Sequence, residues 1–439
     1  MSSDERVSSR RSNSLQQRTM WTVGDQALNS AQSFGISLIV ARESRLAGVG
    51  AFAIAFVVYQ VLMAVTRPLN SEPFTVGYSA APLVAARRAA SSALGGAAIV
   101  GLASAAACAA VGAAVGGQVG SVLLAFALGI PAFCVQDVWR AVFVATGHPA
   151  RAFANDATVL AALVPACVVA GDVRPHSAAA LVLAWVAATA VGAVLGCAQA
   201  RLLPAVRRGV EWWRATIHIG GRVLGENVVS NFVLAIGLLS VSLAASVSDL
   251  GRLRTAQVAI GPASPIVVVV ATLIVAEGSR LLARRSRRYP LFVAGAGMSA
   301  VGVAAGLAIA WWLAPVSIGV DVLGDNWTAA RALVVACGVY VAGVGANTAI
   351  SAGLRTIGRP AAALRARVLA APVGLVGGVG GAIAGGPGWA MAGIAVGEWI
   401  CALLAGRELR TVWQRWNSEP WALTLPTDAG IDPVVLGPR

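Results

Sequence analysis

Residues Trp21–Arg42 read WTVGDQALNSAQSFGISLIVAR. At ~1.5 Å per helical residue the stretch is long enough to cross the ~30 Å of a bilayer core. Its first half nevertheless carries Asp25, Gln26, Asn29 and Gln32, whereas Phe34 to Val40 is apolar. Asp25, Asn29 and Gln32 follow one another at i, i+4 and i+7, so they share one helix face. Lipid offers such a stripe no hydrogen-bond partner, so it has to face protein or water. The segment reads as the wall of a hydrated cavity that the other helices must enclose.

The rest of the chain supplies those helices. Hydrophobic residues make up 57% of the 439 positions, charged residues only 12%, and mean hydropathy is +0.75. A soluble domain carries about twice that share of charge. Apolar runs recur at roughly 21–41, 47–66, 91–115, 119–143, 155–171, 178–199, 221–246, 256–276, 291–313, 330–352, 364–385 and 388–406. The predicted fold class is an all-α polytopic membrane protein of about twelve transmembrane helices. All 33 basic residues are arginine, and they collect between the apolar runs, so the net charge of +14 reflects the positive-inside rule rather than a nucleic-acid surface. With twelve spans, 27 of the 33 arginines fall inside. Only Arg42, Arg45, Arg174, Arg252, Arg254 and Arg331 fall outside, which predicts both termini in the cytoplasm.

Two short echoes point to a duplicated six-helix unit. Gly24-Asp25-Gln26 returns as Gly225-Glu226-Asn227, and Gly147-His148-Pro149-Ala150 returns as Gly358-Arg359-Pro360-Ala361. The expected organisation is a disordered arm over 1–20, an N-lobe over 21–200, a cytoplasmic linker over 201–220, a C-lobe over 221–406 and a cytoplasmic tail over 407–439. Six spans per lobe keep both lobes in the same orientation, with substrate bound between them. The linker holds RRGVEWWR, whose Trp212 and Trp213 suit the membrane interface. The tail carries Trp413, Trp416 and Trp421 and is expected to form a short interfacial helix followed by disorder. The Gly-rich run 374–388 suggests a flexible or bent eleventh span.

Candidate functional residues come from the polar groups that interrupt this apolar chain. Asp25 and Glu226 take matching places in the first and seventh spans, with Asn29 and Gln32 behind one and Asn227 and Asn231 beside the other. They form a candidate paired acidic site for a proton or cation; the other reading is two acids at helix N-termini, where the dipole favours an anion. Arg42 and Arg67 end the first hairpin, either as interfacial arginines or as a clamp for phosphate, whose oxygens a guanidinium matches bidentately. Arg67 opens RPLNSEPF, where two prolines, with Asn70 and Glu72, predict a non-helical polar break. In QDVWR, Asp137 and Arg140 stand at i, i+3 and are expected to pair, or to gate the cavity by exchanging partners with Arg67 or Glu72. EGSRLLARRSRR (277–288) reads as a basic cytoplasmic anchor, with anionic-lipid contact as the alternative. The six cysteines lie in apolar runs and the three histidines lack ligand spacing, so no metal or cofactor is expected. No hydrolase, metalloprotease or P-loop motif occurs, so the chain is not expected to be an enzyme, and transport would be passive or ion-coupled.

GDQALNSAQSFGISLIVAR followed by GVGAFAIAFVVYQ resembles the opening hairpin of the polysaccharide-exporter (Wzx-like flippase) branch of the multidrug/oligosaccharidyl-lipid/polysaccharide (MOP) superfamily. QDVWRAVFVATGHPARAFAND and SAGLRTIGRPAAALRARVLAAP resemble two further regions of its actinobacterial members. The resemblance implies a two-lobed plasma-membrane transporter that flips a polyprenyl-diphosphate-linked glycan by alternating access. Under it, Arg42 and Arg67 would contact the diphosphate, amides of the first and seventh spans the sugars, and Asp25 with Glu226 a coupling H+ or Na+. Membrane lipids and glycan-assembly proteins are the implied partners. The alternatives are an ion-coupled drug or metabolite antiporter, and a non-transporting scaffold for glycosyltransferases that docks them through the Trp-bearing tail.

Overall fold

The computed structural model describes residues 3–79, 81–283, 286 and 288–418. The described residues are all helix and connections. Helix α1 runs Ser3–Glu43 and α2 Leu46–Thr66; a π-helical turn, Arg67–Ser71, leads straight into α3, Glu72–Tyr78. Then come α4 Leu83–Val115, α5 Gly117–Ala127, α6 Ile130–Ala145, α7 Pro149–Val173 and α8 Ala178–Ala200. The chain continues through α9 Val206–Ala244, α10 Val247–Ile260, a 3-10 turn, α11 Ser264–Ala283 and α12 Tyr289–Leu313. Short helices α13 Val316–Leu323 and α14 Asn326–Ala330 precede another 3-10 turn, α15 Val334–Thr356, α16 Pro360–Gly385 and α17 Pro387–Ser418.

Ten of the resulting helical stretches are long and apolar enough to cross a membrane, and the pair α5–α6, bent by 45°, makes an eleventh. Helix α1 is too polar to pass the same test, for the reason its sequence already carries: Asp25, Gln26, Asn29 and Gln32. Counting it, each expected span finds its helix, and the protein is an all-α multi-pass membrane protein.

Several local expectations change. The stretch expected as a disordered arm lies in α1 from Ser3 on. The linker residues from Val206 on belong to α9, and α16 runs unbroken through the Gly-rich stretch to Gly385. The tail continues α17 to Ser418, with Trp413 ring-to-ring on Tyr289 at 5.9 Å. Arg284, Arg285 and Arg287 of the basic anchor, and the tail beyond 418 with Trp421, lie outside the described residues.

Contacts divide the chain into two units. The first holds residues up to Ala235 together with Ala245–Val258 and Pro315–Ala330; the second holds Ile236–Ala244, Ala259–Ala314 and the chain from Arg331. The cut runs through α9, whereas the sequence reading places its lobe boundary at 201–220. In the first unit Phe52, Phe126, Ile130 and Trp139 are fully buried, and Arg254 of α10 lies 3.9 Å over the Phe56 ring and donates to Ser37 Oγ at 2.8 Å. The Asn326 amide donates to Ala41 O (2.8 Å) and Ser44 O (2.7 Å), satisfying carbonyls that the end of α1 leaves without helical donors. Asn326→Ala is expected to destabilise the protein by about 1–2 kcal/mol, read as a lower midpoint in detergent unfolding.

The repeat is visible in backbone conformation. His148, the N-cap of α7, has φ −115° and ψ 49°; Arg359, the N-cap of α16, has φ −116° and ψ 51°. Each follows a glycine at φ 80° or 75°, and each N–H closes a 2.8 Å bond five residues back, to Phe143 O and Leu354 O. The second echo is therefore one turn built twice.

Candidate functional site

In the first unit α1, α2, α6, α7 and α8 bring polar side chains to a small cavity lined by Asn29, Gln32, Ser33, Tyr59, Met63, Phe133, Gln136, Asp137, Arg140, Asp156, Trp185 and Thr189. It measures about 20 Å³ as room for water centres, which holds one or two waters at ~10–15 Å³ each.

Helix α6 organises the charges, because it is buried all round from Phe133 to Arg140 and its polar side chains must find partners on its neighbours. Arg140 lies between two acids, with Nη2 2.9 Å from Asp25 Oδ2 on α1 and Nε 3.0 Å from Asp156 Oδ2 on α7. Gln136 donates to Asp156 Oδ1 (3.0 Å) and Asn155 Oδ1 (2.6 Å), and Asn155 donates onward to Gly192 O of α8 at 2.9 Å. Gln32 donates to Asp156 O at 2.8 Å. Asp137 takes Arg67 Nε and Ser71 Oγ, each at 2.8 Å, so the π-turn supplies both of its partners. Three carboxylates thus meet two guanidiniums, and Asp25 Oδ1 and Gln136 Oε1 accept no hydrogen bond among the described residues.

The π-turn is where the sequence reading fails most informatively. Pro73 has no N–H for Leu69 C=O four residues back, a defect that reads as a break. The indole N–H of Trp212 on α9 donates to Leu69 O instead, at 3.0 Å. The Asn70 amide donates to Thr66 O (3.0 Å) and its oxygen accepts from Trp213 Nε1 (3.1 Å), while Glu72 N–H reaches Arg67 O, five back. Side chains replace the missing backbone donors, so the polar segment stays helical and Asn70 and Ser71 are buried. The two linker tryptophans serve this turn rather than the bilayer interface alone, and Trp212 is only 4% exposed. π-Turns of this kind are frequent at functional sites.

Of the residues singled out from sequence, Asp25, Asn29, Gln32, Arg67, Asp137 and Arg140 come together here. Asp25 and Glu226 both lie in helix interiors, so the helix-N-terminus reading of them fails. Asp25 finds its partner in Arg140. Glu226 is buried on α9, where the Asn231 amide donates to Asn227 O of its own helix at 2.9 Å, and none of the three lines the cavity. The expected Asp137–Arg140 pair does not form, because each residue finds a better-placed partner across a helix contact. Gln26 is exposed, Glu72 is half-buried away from the cavity, and Arg42, with its side chain 55% exposed, donates to Asp321 O at 2.6 Å. Asp156 and Asn155 were not singled out. Their signal was a pair of polar residues opening the apolar run 155–171, on the face that continues through Val159, Leu163 and Cys167.

The second unit carries a buried network of its own. Arg367 Nη1 lies 2.6 Å from Glu398 Oε1, and the Asn347 amide donates to Glu398 Oε2 at 3.0 Å. The 211-residue offset that relates the two glycine turns carries Asp156 onto Arg367 and Gln136 onto Asn347. The same two helix positions are used twice, with the charge reversed at one of them.

No family model matches the sequence, and no curated protein matches it. Among solved structures, one similar chain is an inward-facing multidrug resistance MATE family transporter of the MOP superfamily, at 12% identity and TM-score 0.71, covering 89% of this chain and 96% of that one. The lipid II flippase MurJ in an inward closed conformation is similar at 10% identity and TM-score 0.69, covering 90% and 87%. A MOP superfamily transporter from Pyrococcus furiosus, described as having a binding pocket of reverse polarity, is similar at 11% identity and TM-score 0.54, covering 92% and 96%. At such identities the likeness is one of fold, and this chain shares that fold over nine-tenths of its length.

Proposed function

We propose that this protein is a MOP-type transporter of the plasma membrane that moves a polyprenyl-diphosphate-linked oligosaccharide, or a related polysaccharide precursor, by alternating access. The observation that carries the reading is the first unit's cavity: amides (Asn29, Gln32, Gln136) beside aromatic rings (Tyr59, Phe133, Trp185), with buried charge beneath them. Amides and ring faces are what sugar hydroxyls and sugar C–H faces bind once alternating access widens the cavity, which here has room for one or two waters. The shared fold with a lipid II flippase supports a lipid-linked cargo. Arg67, whose side chain is 42% exposed and pairs with Asp137 of the cavity wall, is the candidate cation for a phosphate beside that cavity; Arg42, which donates to Asp321 O, has no partner on the cavity wall among the described residues. The excess carboxylate of the Asp25–Arg140–Asp156 group takes the coupling proton or sodium ion.

A second reading, ion-coupled antiport of cationic drugs, is favoured by that same excess of acid over base and by the fold shared with a MATE transporter. Reconstitution separates the two. Flipping of a fluorescent lipid-linked oligosaccharide is expected in proteoliposomes, with Asp156→Asn lowering its rate by at least tenfold. A well-folded wild type that leaves such lipids unflipped yet drives dye efflux against a proton or sodium gradient would replace the first reading by the second.

A further inference from the structure

The buried charges are tied to one face of the protein by a route that transport itself does not require. The start of α4 is clasped to the connection that leads from α8 into α9. Arg87 donates to Ala200 O (3.0 Å) and Arg201 O (3.2 Å), Ser91 Oγ to Leu203 O (2.6 Å) and Ala205 N–H to Ser91 O (2.8 Å). The helices meet backbone to backbone, since a Cβ on Gly209 would stand 2.7 Å from Gly96 N. Gly209, Trp212, Thr216 and Gly220 form the buried face of α9. Its other face is exposed, as are the ends of the clasp, and together they show Arg88, Arg201, Arg207, Arg208 and Arg214. None of these five forms an ion pair among the described residues, and the one acid among them is Glu211. Exposed apolar side chains stand between them: Leu83 (65%), Val84 (65%), Leu203 (75%), Val206 and Val210 (44% each).

We propose that this platform binds the headgroups of anionic phospholipids, and that the bound lipid steadies the π-turn that holds Asp137. Guanidinium matches a phosphate diester bidentately. Apolar side chains interleaved with arginines suit the headgroup–acyl boundary, where the first enter the chains and the second stay at the phosphates. A net positive cluster at the inner surface selects anionic over zwitterionic lipid. The route inward has two steps of two hydrogen bonds each. Trp212 and Trp213, on the turn between Arg208 and Arg214, hold Leu69 O and the Asn70 side chain, and Arg67 and Ser71 of the same π-turn hold Asp137. A lipid that pins α9 therefore pins the π-turn.

The test uses the full chain in nanodiscs of phosphatidylcholine with and without phosphatidylglycerol. Lipid retained after release is read by native mass spectrometry, and amide exchange is read over residues 67–78 and 206–220. Wild type is expected to retain phosphatidylglycerol over phosphatidylcholine several-fold, and to exchange more slowly at 67–78 when it is present. Arg207→Gln/Arg208→Gln/Arg214→Gln is expected to lose both effects, whereas the corresponding triple Lys variant keeps the retained lipid. Trp212→Phe/Trp213→Phe is expected to keep the lipid but lose the slowing at 67–78. Equal retention of the two lipids by wild type, undiminished retention by the triple Gln variant, or displacement of the lipid by millimolar inorganic phosphate would overturn the binding site. Slowing that survives in the double Phe variant would overturn the route to the π-turn.

Discussion

An Arg140→Met protein is expected to lose transport and about 3–5 kcal/mol of stability. Arg140 is the only guanidinium within ion-pair distance of Asp25 and of Asp156 among the described residues, and both carboxylates are about 1% exposed. Without it two acids are left buried side by side, with the Gln136 amide on Asp156 Oδ1 as their remaining neutral donor among the described residues. Unfolding in mixed micelles gives the stability, and the proteoliposome assay gives the activity. Arg140→Lys keeps the charge but, as a compact point charge, does not reproduce the planar fork that spans both acids, so an intermediate loss is expected. A Met variant as stable as wild type would mean that the network does not hold α1, α6 and α7 together.

The second large effect is expected in the other unit. Arg367→Met leaves Glu398, about one-tenth exposed, with the Asn347 amide donating to its Oε2, and Glu398→Met removes the carboxylate 2.6 Å from Arg367. Each single change is expected to cost about 3–5 kcal/mol, whereas the double Met variant costs little, because an apolar pair of similar volume escapes the desolvation that the ion pair suffers. The coupling from the double-mutant cycle is the measured quantity. If the stable double variant also transports at the wild-type rate, the second unit's network is structural. If it is stable and inert, Arg367 and Glu398 take part in the cycle.

How far the sequence can be read depends on whether a residue's meaning is local. The spans are local, because twenty apolar residues announce a crossing, and so is the Gly-x-Pro turn that starts α7 and α16. The polar stripe of α1 was legible because its own period places Asp25, Asn29 and Gln32 on one face. Its partner was not, since Arg140 is 115 positions away and an arginine three positions from an acid, as Arg140 is from Asp137, looks the same in sequence whichever acid it faces. Asp137 and Arg140 illustrate this: their spacing offers a pair, and burial on all sides of α6 gives each a stronger partner on another helix. Glycines four apart, as in Gly374/Gly378, Gly393/Gly397 and Gly302/Gly306, can let helices approach closely, and they behave likewise. Gly374 and Gly397 bring α16 and α17 close, whereas Gly302 and Gly306, with the same spacing, meet nothing within 4 Å. The prolines of RPLNSEPF misled because the donors that rescue them sit on α9, some 140 residues later.

Tyr59, Met63, Arg67 and Ser71 recur every four residues, the first two on the cavity wall and the last two on Asp137. In an α-helix each step of four overshoots a full circle by ~40°, so four such residues would wind away from a straight line. The wider π-turn undershoots the circle and takes back part of that angular drift, which keeps the four side chains within one face of the helix. The segment should accordingly tolerate a change of side chain far better than a change of length. Removing one residue between Arg67 and Ser71 would relax the turn to α geometry and leave the phase from Glu72 onward nearly unchanged, but it would set Arg67 and Ser71 three positions apart instead of four, ~60° short of a full circle, leaving Asp137 with one partner instead of two.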